Sequence, residues 1–189
     1  MIASTIDLQP VLETGIVKIQ PLKAGDFEKL YEVASDPLIW EQHPNKNRYQ
    51  KEIFKNYFEG AIESKGAFLV LDAKTHEPIG CSRFYDYDEN RRSILIGYTF
   101  FARKCWGKAY NKALKTLMLD YIFNYVDSVI FHVGANNIRS QKAMEKLGMK
   151  KVGEQNVAYY GEQNNLNYIF QINKADWGKI NNKWAKLCK

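Results

Sequence analysis

The sequence predicts a mixed α/β fold, a sheet with helices on both faces. Three observations point there. Residues 93–133 read strand, helix, strand, the unit that crosses over between parallel neighbours. The strand that opens this unit, Ser93–Phe101, is apolar on both faces, as in the middle of a sheet. Strand-like and helical segments alternate on either side of it, an order that gives a mixed sheet covered on both sides.

Taken in order, Ile16–Leu22 reads as the first strand. Asp26 stands where it can cap a helix carrying Phe27, Leu30, Tyr31 and Val33. Pro37 ends that helix, because the residue before proline disfavours helical backbone. Leu38–Arg48, with Trp40-Glu-Gln-His-Pro44, reads as an irregular connection. From Tyr49 to Ser64, the residues Ile53, Phe54, Tyr57, Phe58, Ala61 and Ile62 recur at helical spacing. Ala67–Leu71 and Ile79–Tyr85 pair as a hairpin around Asp72–Pro78, and Asp86–Arg92 is a polar turn. Alternation along Ser93–Phe101 puts Ile94, Ile96, Tyr98 and Phe100 on one face and Leu95 and Phe101 on the other. Gly97 inside it signals a bulge or a close backbone approach by a ligand. The helix Lys108–Tyr125 carries the stripe Ala109, Ala113, Leu114, Leu117, Met118, Tyr121 and Ile122. Ser128–Val133 is a strand, and Asn137–Leu147 is a helix that Gly148 closes in left-handed conformation. Lys150–Tyr160 and Leu166–Ile172 make a final antiparallel pair, and Ala175–Leu187 adds a helix. The whole reads as a single domain over 1–189, with a core at about 15–173 and a C-terminal helical extension at 174–189.

With 189 residues, 46% of them apolar and 14% aromatic, the chain can bury a proper core, which excludes a disordered protein. No run approaches the roughly 20 apolar residues of a membrane helix, so no membrane partner is expected. The N-terminus, Met1-Ile-Ala-Ser-Thr-Ile-Asp7, lacks a basic segment followed by an apolar one, so no secretory leader is expected. Cys81, Cys105 and Cys188 are too few and scattered for a disulfide framework, which points to the cytoplasm. The net charge of +6 suits nucleic acid, an anionic membrane or a polyphosphate cofactor, but the lysines are dispersed as on an ordinary solvated surface. His43, His76 and His132 with the three cysteines lack metal-ligand spacing, so no metal is expected.

Two motifs carry the chemistry. Lys104-Cys-Trp-Gly-Lys-Ala-Tyr-Asn111 is a tight loop between an apolar strand and a helix N-terminus. Backbone N–H groups of about Trp106 to Asn111, with the positive end of the helix dipole, suit a diphosphate. Gly107 lets the backbone approach closely, and Ala109 is too small to block it. The second motif, Asn137-Ile-Arg-Ser-Gln-Lys-Ala-Met-Glu-Lys-Leu-Gly148, is a helix entered through a polar residue and closed by glycine. A nucleotide-hydrolysing P-loop needs a magnesium-binding hydroxyl after its Gly-Lys, and here Gly107-Lys108 is followed by alanine.

With both motifs at this spacing, the chain resembles the GNAT acyltransferase superfamily and, within it, the RimJ/RimL-like branch of ribosomal-protein N-terminal acetyltransferases. The family's pyrophosphate loop reads Gln/Arg-x-x-Gly-x-Gly/Ala, and Lys104-Cys-Trp-Gly107-Lys-Ala109 fits it with lysine in first place. The branch favours Trp-Gly-Lys-Gly-Tyr, which is similar to Trp106-Gly-Lys-Ala-Tyr110. Its Asn-x-Arg-Ser and Glu-Lys-x-Gly match Asn137-Ile-Arg-Ser140 and Glu145-Lys-Leu-Gly148. The order of elements agrees over about residues 15–173. The resemblance implies a GNAT-like fold, with a mostly antiparallel central sheet and one splayed parallel pair. It implies acetyl-coenzyme A (acetyl-CoA) as acyl donor and a primary amine, small-molecule or peptide, as the acceptor that attacks it directly. Cofactor contacts are then expected from Phe100, Phe101, Lys104, Trp106, Gly107, Lys108, Ala109, Tyr110 and Asn111, and from Asn137, Arg139 and Lys142. A homodimer is what relatives suggest.

Acyl transfer to an amine requires loss of an ammonium proton, donors for the oxyanion and a proton for the thiolate. A backbone N–H within Gly97–Phe101 is the expected oxyanion donor. Many family members place a tyrosine acid seven residues after the asparagine at 137; here that position is Met144, which has no proton to give. In the ribosomal branch the serine of Asn-x-Arg-Ser lies near the sulfur, which makes Ser140 the candidate acid, against an ordinary helix-start hydrogen bond. Glu41 and His43 fall where the family lines its acceptor site, and a carboxylate beside an imidazole relays a proton near neutral pH. The ordinary reading of both is exposed loop, Glu162 is a further candidate base, and ordered water serves if no base is needed. Trp40, Arg83, Tyr85, Tyr159 and Tyr160 are expected to shape the acceptor pocket. Cys105, beside a helix N-terminus, is either a thiol of lowered pKa or a buried inert one. Two other classes stand beside the enzyme: a silent CoA-binding module, which Met144 favours, and a nucleic-acid binder, which the dispersed lysines disfavour.

Overall fold

The computed structural model describes the backbone of residues 6–158 and 164–187 and the side chains as far as residue 181. Tyr159, Tyr160 and Glu162, expected at the acceptor pocket, and Cys188 lie outside the described residues. In chain order the elements are β1 (Leu12–Glu13), β2 (Val17–Pro21), α1 (Phe27–Ala34), α2 (Pro37–Trp40), α3 (Lys51–Glu63), β3 (Ala67–Asp72), β4 (Pro78–Asp88) and β5 (Ser93–Phe101), then α4 (Tyr110–Ile122), β6 (Ser128–Gly134), α5 (Ile138–Lys146), β7 (Lys150–Val157), β8 (Asn165–Asn173) and α6 (Lys174–Leu187). The described strands form one sheet in the order β1–β2–β3–β4–β5–β6–β8–β7, with the helices around it. Every neighbouring pair is antiparallel except β5 and β6.

Strand alternation sorts the apolar residues onto two faces, each covered by helices. Phe68 and Val70 of β3 join Leu114, Met118, Leu119 and Ile122 of α4 in one core. Ala67, Leu69 and Leu71 of the same strand join Leu30 of α1, Trp40 of α2 and Phe54, Tyr57 and Phe58 of α3 in the other. Side chains such as Leu30 and Leu114 are fully buried, each worth about 1.5–3 kcal/mol by transfer from water. At the C-terminal end Trp177 of α6 is buried, and its Nε1 donates to Asp120 Oδ1 of α4 at 2.7 Å.

The region before α3 is more ordered than its sequence suggests. Pro37 does not merely stop a helix; it is the first residue of α2, where a proline ring fits and its missing N–H is not needed. Asp36 caps that helix, its carboxylate accepting from Leu38 N at 3.0 Å. Asp26 does not cap α1; its carboxylate accepts from Lys23 N at 3.0 Å and closes the preceding turn. A short 3-10 turn at Lys46–Tyr49 completes the stretch expected to be irregular.

The largest difference lies in β5. Cys81 pairs with Phe100 and Arg83 with Gly97, so two residues of β5 oppose one of β4. This is a bulge, one residue after the glycine that signalled it. It reverses the phase of the strand: Ile94, Ile96 and Phe101 share one core, and Phe100 lies in the other. Plain alternation had placed Phe100 with Ile96 and opposed it to Phe101. Tyr98 carries the bulge at φ 54°, a left-handed conformation that costs a tyrosine about 1–2 kcal/mol. It is held from two sides: Tyr57 Oη donates to its carbonyl at 2.8 Å, and the Arg83 guanidinium lies 3.9 Å from its ring centre. Gly97 serves a close approach by protein, because a Cβ there would meet the Tyr85 ring at 2.9 Å.

Candidate active site

β5 and β6 pair only from Ser93/Ser128 to Leu95/Ile130. Beyond that point they part, and a cleft of about 600 Å³ opens between them. Its walls are β5 from Ile96 to Phe101, β6 from Phe131 to Gly134, the loop into α4, the face of α5 that carries Ser140 and Met144, and the segment from Ile39 to Arg48. Past Leu95 the β5 edge facing the gap has no strand partner among the described residues; Tyr57 Oη and Trp106 Nε1 engage the carbonyls of Tyr98 and Phe101, and the polar groups left along that edge are open to a ligand.

At one end of the cleft stands the loop expected to bind phosphate. Gly107 has φ +70°, and a Cβ there would meet nothing within 4 Å. The N-cap of α4 is Ala109, which has no side chain to close the helix end. No described group accepts the N–H groups of Gly107, Ala109, Tyr110 or Asn111, so the end of α4 presents free donors. Trp106, Gly107, Lys108, Ala109 and Asn111 line the cleft, and Lys112, Lys142 and Lys146 add cations there.

Two loop residues expected at the cofactor face elsewhere. Lys104 Nζ bonds Glu77 Oε2 at 2.7 Å, and that contact raises the lysine pKa. Tyr110 Oη donates to Asp72 Oδ2 at 2.6 Å, which pushes the phenol up to about 12 and the Asp72 carboxyl down. Both fasten the loop to the β3–β4 hairpin, so the short reach of each side chain is used before the cleft begins. Burial pushes the Cys105 thiol pKa up despite the nearby helix end, so it is the inert alternative.

The second motif is split between capping and lining. Asn137 Oδ1 accepts from Ser140 N at 3.0 Å and caps α5. Ser140 thus uses its backbone N–H at the helix start, while its Oγ makes no hydrogen bond to a described residue and lines the cleft. Met144 is buried beside it. Arg139 does not simply face a nucleotide: its guanidinium stacks 3.9 Å from the Trp106 ring centre, and Nη2 donates to Ile39 O at 2.9 Å. It ties α5 to the loop and to α2 across the cleft.

On the acceptor side, Trp40 is a buried wall, its Nε1 donating to Ala34 O at 2.7 Å. The expected Glu41–His43 relay is not formed. Glu41 is exposed and makes no hydrogen bond to His43. His43 Nδ1 accepts from Asn45 N at 2.9 Å, and Nε2 faces Arg48 Nη1 at 3.3 Å. A neutral imidazole has one ring lone pair, and the backbone already engages it. Burial, then the Arg48 charge, holds the ring well below the usual histidine pKa. Arg83 also differs from expectation. It is 4% exposed and does not line the cleft; Nη1 donates to Gly60 O at 3.0 Å, and the Tyr98 face stands against a guanidinium whose Nε and Nη2 have no hydrogen-bond acceptor. It supports the bulge from beneath, while Tyr85 lines the cleft.

Three lining residues were missed at the sequence level. Arg48 is buried with its guanidinium over the rings of Tyr57 and Trp40, at 4.8 and 5.4 Å. His132 stands on β6, two residues past the last paired position, as Gly97 does on β5. Its Nδ1 is buried without a partner, and burial lowers its pKa. Lys115 is fully enclosed by α4, β5 and β6. Only Lys115 left a signal: it falls one turn before Met118 and Leu119, a charge at the edge of the apolar stripe of α4.

Residues 17–150 match the model of the family described as acetyltransferase (GNAT) domain. No curated protein matches the sequence. A GCN5-related N-acetyltransferase from Brucella melitensis superposes with a TM-score of 0.80 at 16% identity, over 91% of this chain and 82% of that one. Mycobacterium smegmatis RimJ, in complex with CoA-disulfide, gives 0.66 at 16% identity, over 84% and 82%. Spermidine N-acetyltransferase from Vibrio cholerae, in complex with CoA and spermine, gives 0.65 at 17% identity, over 87% and 99%. Identities this low carry the fold and nothing finer.

Proposed function

The chain belongs to the GNAT acetyltransferase family, and from that premise we propose that it moves an acetyl group from acetyl-CoA to a primary amine by direct attack on the thioester. The observation that carries this reading is the cleft between the parted strands, with open N–H donors and lysines at one end and the bulge within it. The donors at Gly107–Asn111 hold the pyrophosphate, and Lys108, Lys112, Lys142 and Lys146 answer its charge. The pantetheine arm pairs with the open edge of β5, and a backbone N–H beside the bulge at Tyr98 stabilises the oxyanion. Calorimetry with acetyl-CoA, followed by thiol release with a panel of amines, tests this. Micromolar binding with turnover supports it; binding without turnover on any amine leaves a silent module, and no binding removes both. Within the family, Asn137–Ser140 and Glu145–Gly148 favour the ribosomal-protein branch, so peptide N-termini head the panel.

Ser140 supplies the hydroxyl that hydrogen-bonds the sulfur. Ser140→Ala is expected to lower kcat roughly 10- to 100-fold with KM for acetyl-CoA little changed. Turnover equal to wild type would remove Ser140 from the chemistry.

The acceptor proton leaves through His132 in place of His43. Burial keeps this ring neutral at pH 7, and it stands across the seam from Gly97. A His base fades as pH falls through its pKa, so the wild-type rate is expected to decline on the acid side of about 6.5. His132→Gln is expected to lose that limb and about tenfold or more in kcat. The same acid limb in wild type and variant would assign it to another group.

A further inference from the structure

One buried cation of the cleft has no part in the reading above. Lys115 lies on α4 and is 2% exposed. Its Nζ donates to Thr99 Oγ1 on β5 at 2.7 Å and lies 5.5 Å from the centre of the Phe131 ring on β6. A single ammonium therefore touches both strands just beyond the point where they part. Thr99 stands next to Tyr98, the residue that carries the bulge, and its Oγ1 meets Ser82 Oγ at 2.9 Å. Among the described residues no carboxylate pairs with Lys115. An ammonium is strongly hydrated, and burial without a counter-ion is expensive where a methionine of similar length would pack at no such penalty. Such a group in a cleft is a candidate for chemistry.

Resting on the acetyl-CoA reading of the cleft, we propose that Lys115 is the catalytic acid of the transfer, meeting the sulfur of the bound coenzyme at the seam between β5 and β6. The acceptor amine forms the C–N bond and the carbonyl C–S bond breaks. The electron pair of that bond goes to sulfur, and the Lys115 ammonium gives the sulfur its proton. His132 takes the proton that the acceptor ammonium loses before attack, and the second proton, shed by the new amide nitrogen, restores the Lys115 ammonium, so the net products are the amide, the free thiol and one proton released through His132.

The alternatives on the page are weaker acids. Met144, where many members have tyrosine, has no proton, and the Ser140 hydroxyl is a hydrogen-bond donor of very high pKa. Burial brings the Lys115 ammonium down to about 7. A thiol has a pKa near about 8.5, so transfer from this ammonium to the thiolate runs downhill. The titratable group whose charge acts on Lys115 is Cys81 of β4, and burial keeps that thiol protonated. Its other neighbours, the Thr99 hydroxyl and the Phe131 ring, carry no charge.

The test needs no acceptor. Coenzyme A is bound to wild type, Lys115→Met and Lys115→Arg, its affinity is measured by calorimetry, and the bound thiol is titrated by its alkylation rate against pH. With a permanent cation at the sulfur in Lys115→Arg, the thiol is expected to titrate about one pH unit or more lower than in Lys115→Met, which is tenfold or more in thiolate at a given pH, and the wild-type profile is expected to follow the coupled lysine–thiol pair and to match neither variant. Superposable titrations in three proteins that all bind the coenzyme would overturn the proposal and leave the cofactor reading standing. Failure of wild type to bind would overturn the cofactor reading and this proposal with it. Acetylation of Lys115 itself by acetyl-CoA, seen by intact mass and peptide mapping, would also overturn it, because the group would then be a nucleophile.

Discussion

Gly107→Glu is expected to lower affinity for coenzyme A by two orders of magnitude or more while leaving the fold intact. The position is open, so the new side chain displaces no protein atom. Its backbone is left-handed at φ +70°, which costs any side chain about 1–2 kcal/mol. Gly107→Ala isolates that conformational cost and is expected to weaken binding only modestly. Glutamate adds a carboxylate among the donors proposed to hold the pyrophosphate, and two like charges about 4 Å apart near a protein surface repel by about 4 kcal/mol. At about 1.4 kcal/mol per tenfold, that repulsion alone exceeds a hundredfold. Calorimetry on the three proteins, with thermal melts as a control for folding, makes the comparison. Equal binding by the glutamate variant would show that no phosphate sits at this loop.

Lys115→Met is expected to make the protein more stable at neutral pH. Burial lowers the folded-state pKa of Lys115 to about 7 from an ordinary 10.5. Between those values the unfolded chain binds more protons than the folded one, so stability rises with pH across that window. The penalty is present in full below about 7 and disappears above about 10.5. By linkage it amounts to roughly 4 kcal/mol at pH 7, and methionine removes it while filling a similar volume. Loss of the bond to Thr99 subtracts about 1 kcal/mol, so a net gain of roughly 2–3 kcal/mol is expected. Denaturant melts at pH 7 and pH 10 should show the gain shrinking at the higher pH. A variant less stable than wild type at both would mean that the ammonium is itself a structural asset. A lysine that weakens the fold at neutral pH fits a side chain held for the reaction.

The architecture was legible because periodicity and punctuation agreed. Ser93–Phe101, the α4 stripe and Gly148 each gave their element in place, and the tight loop into α4 stands where Gly107 and Ala109 put it. The ends of side chains were not legible. Lys104 and Tyr110 belong to the loop motif, yet each has an acidic partner on the β3–β4 hairpin, a contact far away in sequence. His43 was read as a base because it stands with Glu41 in the connection where the resembling family lines its acceptor site, but the N–H of Asn45 two residues later engages its lone pair. The phase reversal in β5 escaped because a bulge depends on the neighbouring strand, and Tyr98 does not advertise a positive φ. Pro37 was read as a stop by a rule equally consistent with a start, and only Asp36 as cap decides between them.

That reversal also constrains how the gene can change. Removing one codon between Gly97 and Phe100 would take out the bulge and leave Phe100 and Phe101 on their present sides, because the shortened strand alternates straight from Ile96 to Phe101; what it takes away is the left-handed tyrosine position with its contacts to Tyr57 and Arg83. A deletion there keeps both hydrophobic interiors, whereas one added residue exchanges the side chains that enter them beyond it. Variation among descendants of this chain is therefore expected to alter the letters of the segment and to shorten it more readily than lengthen it.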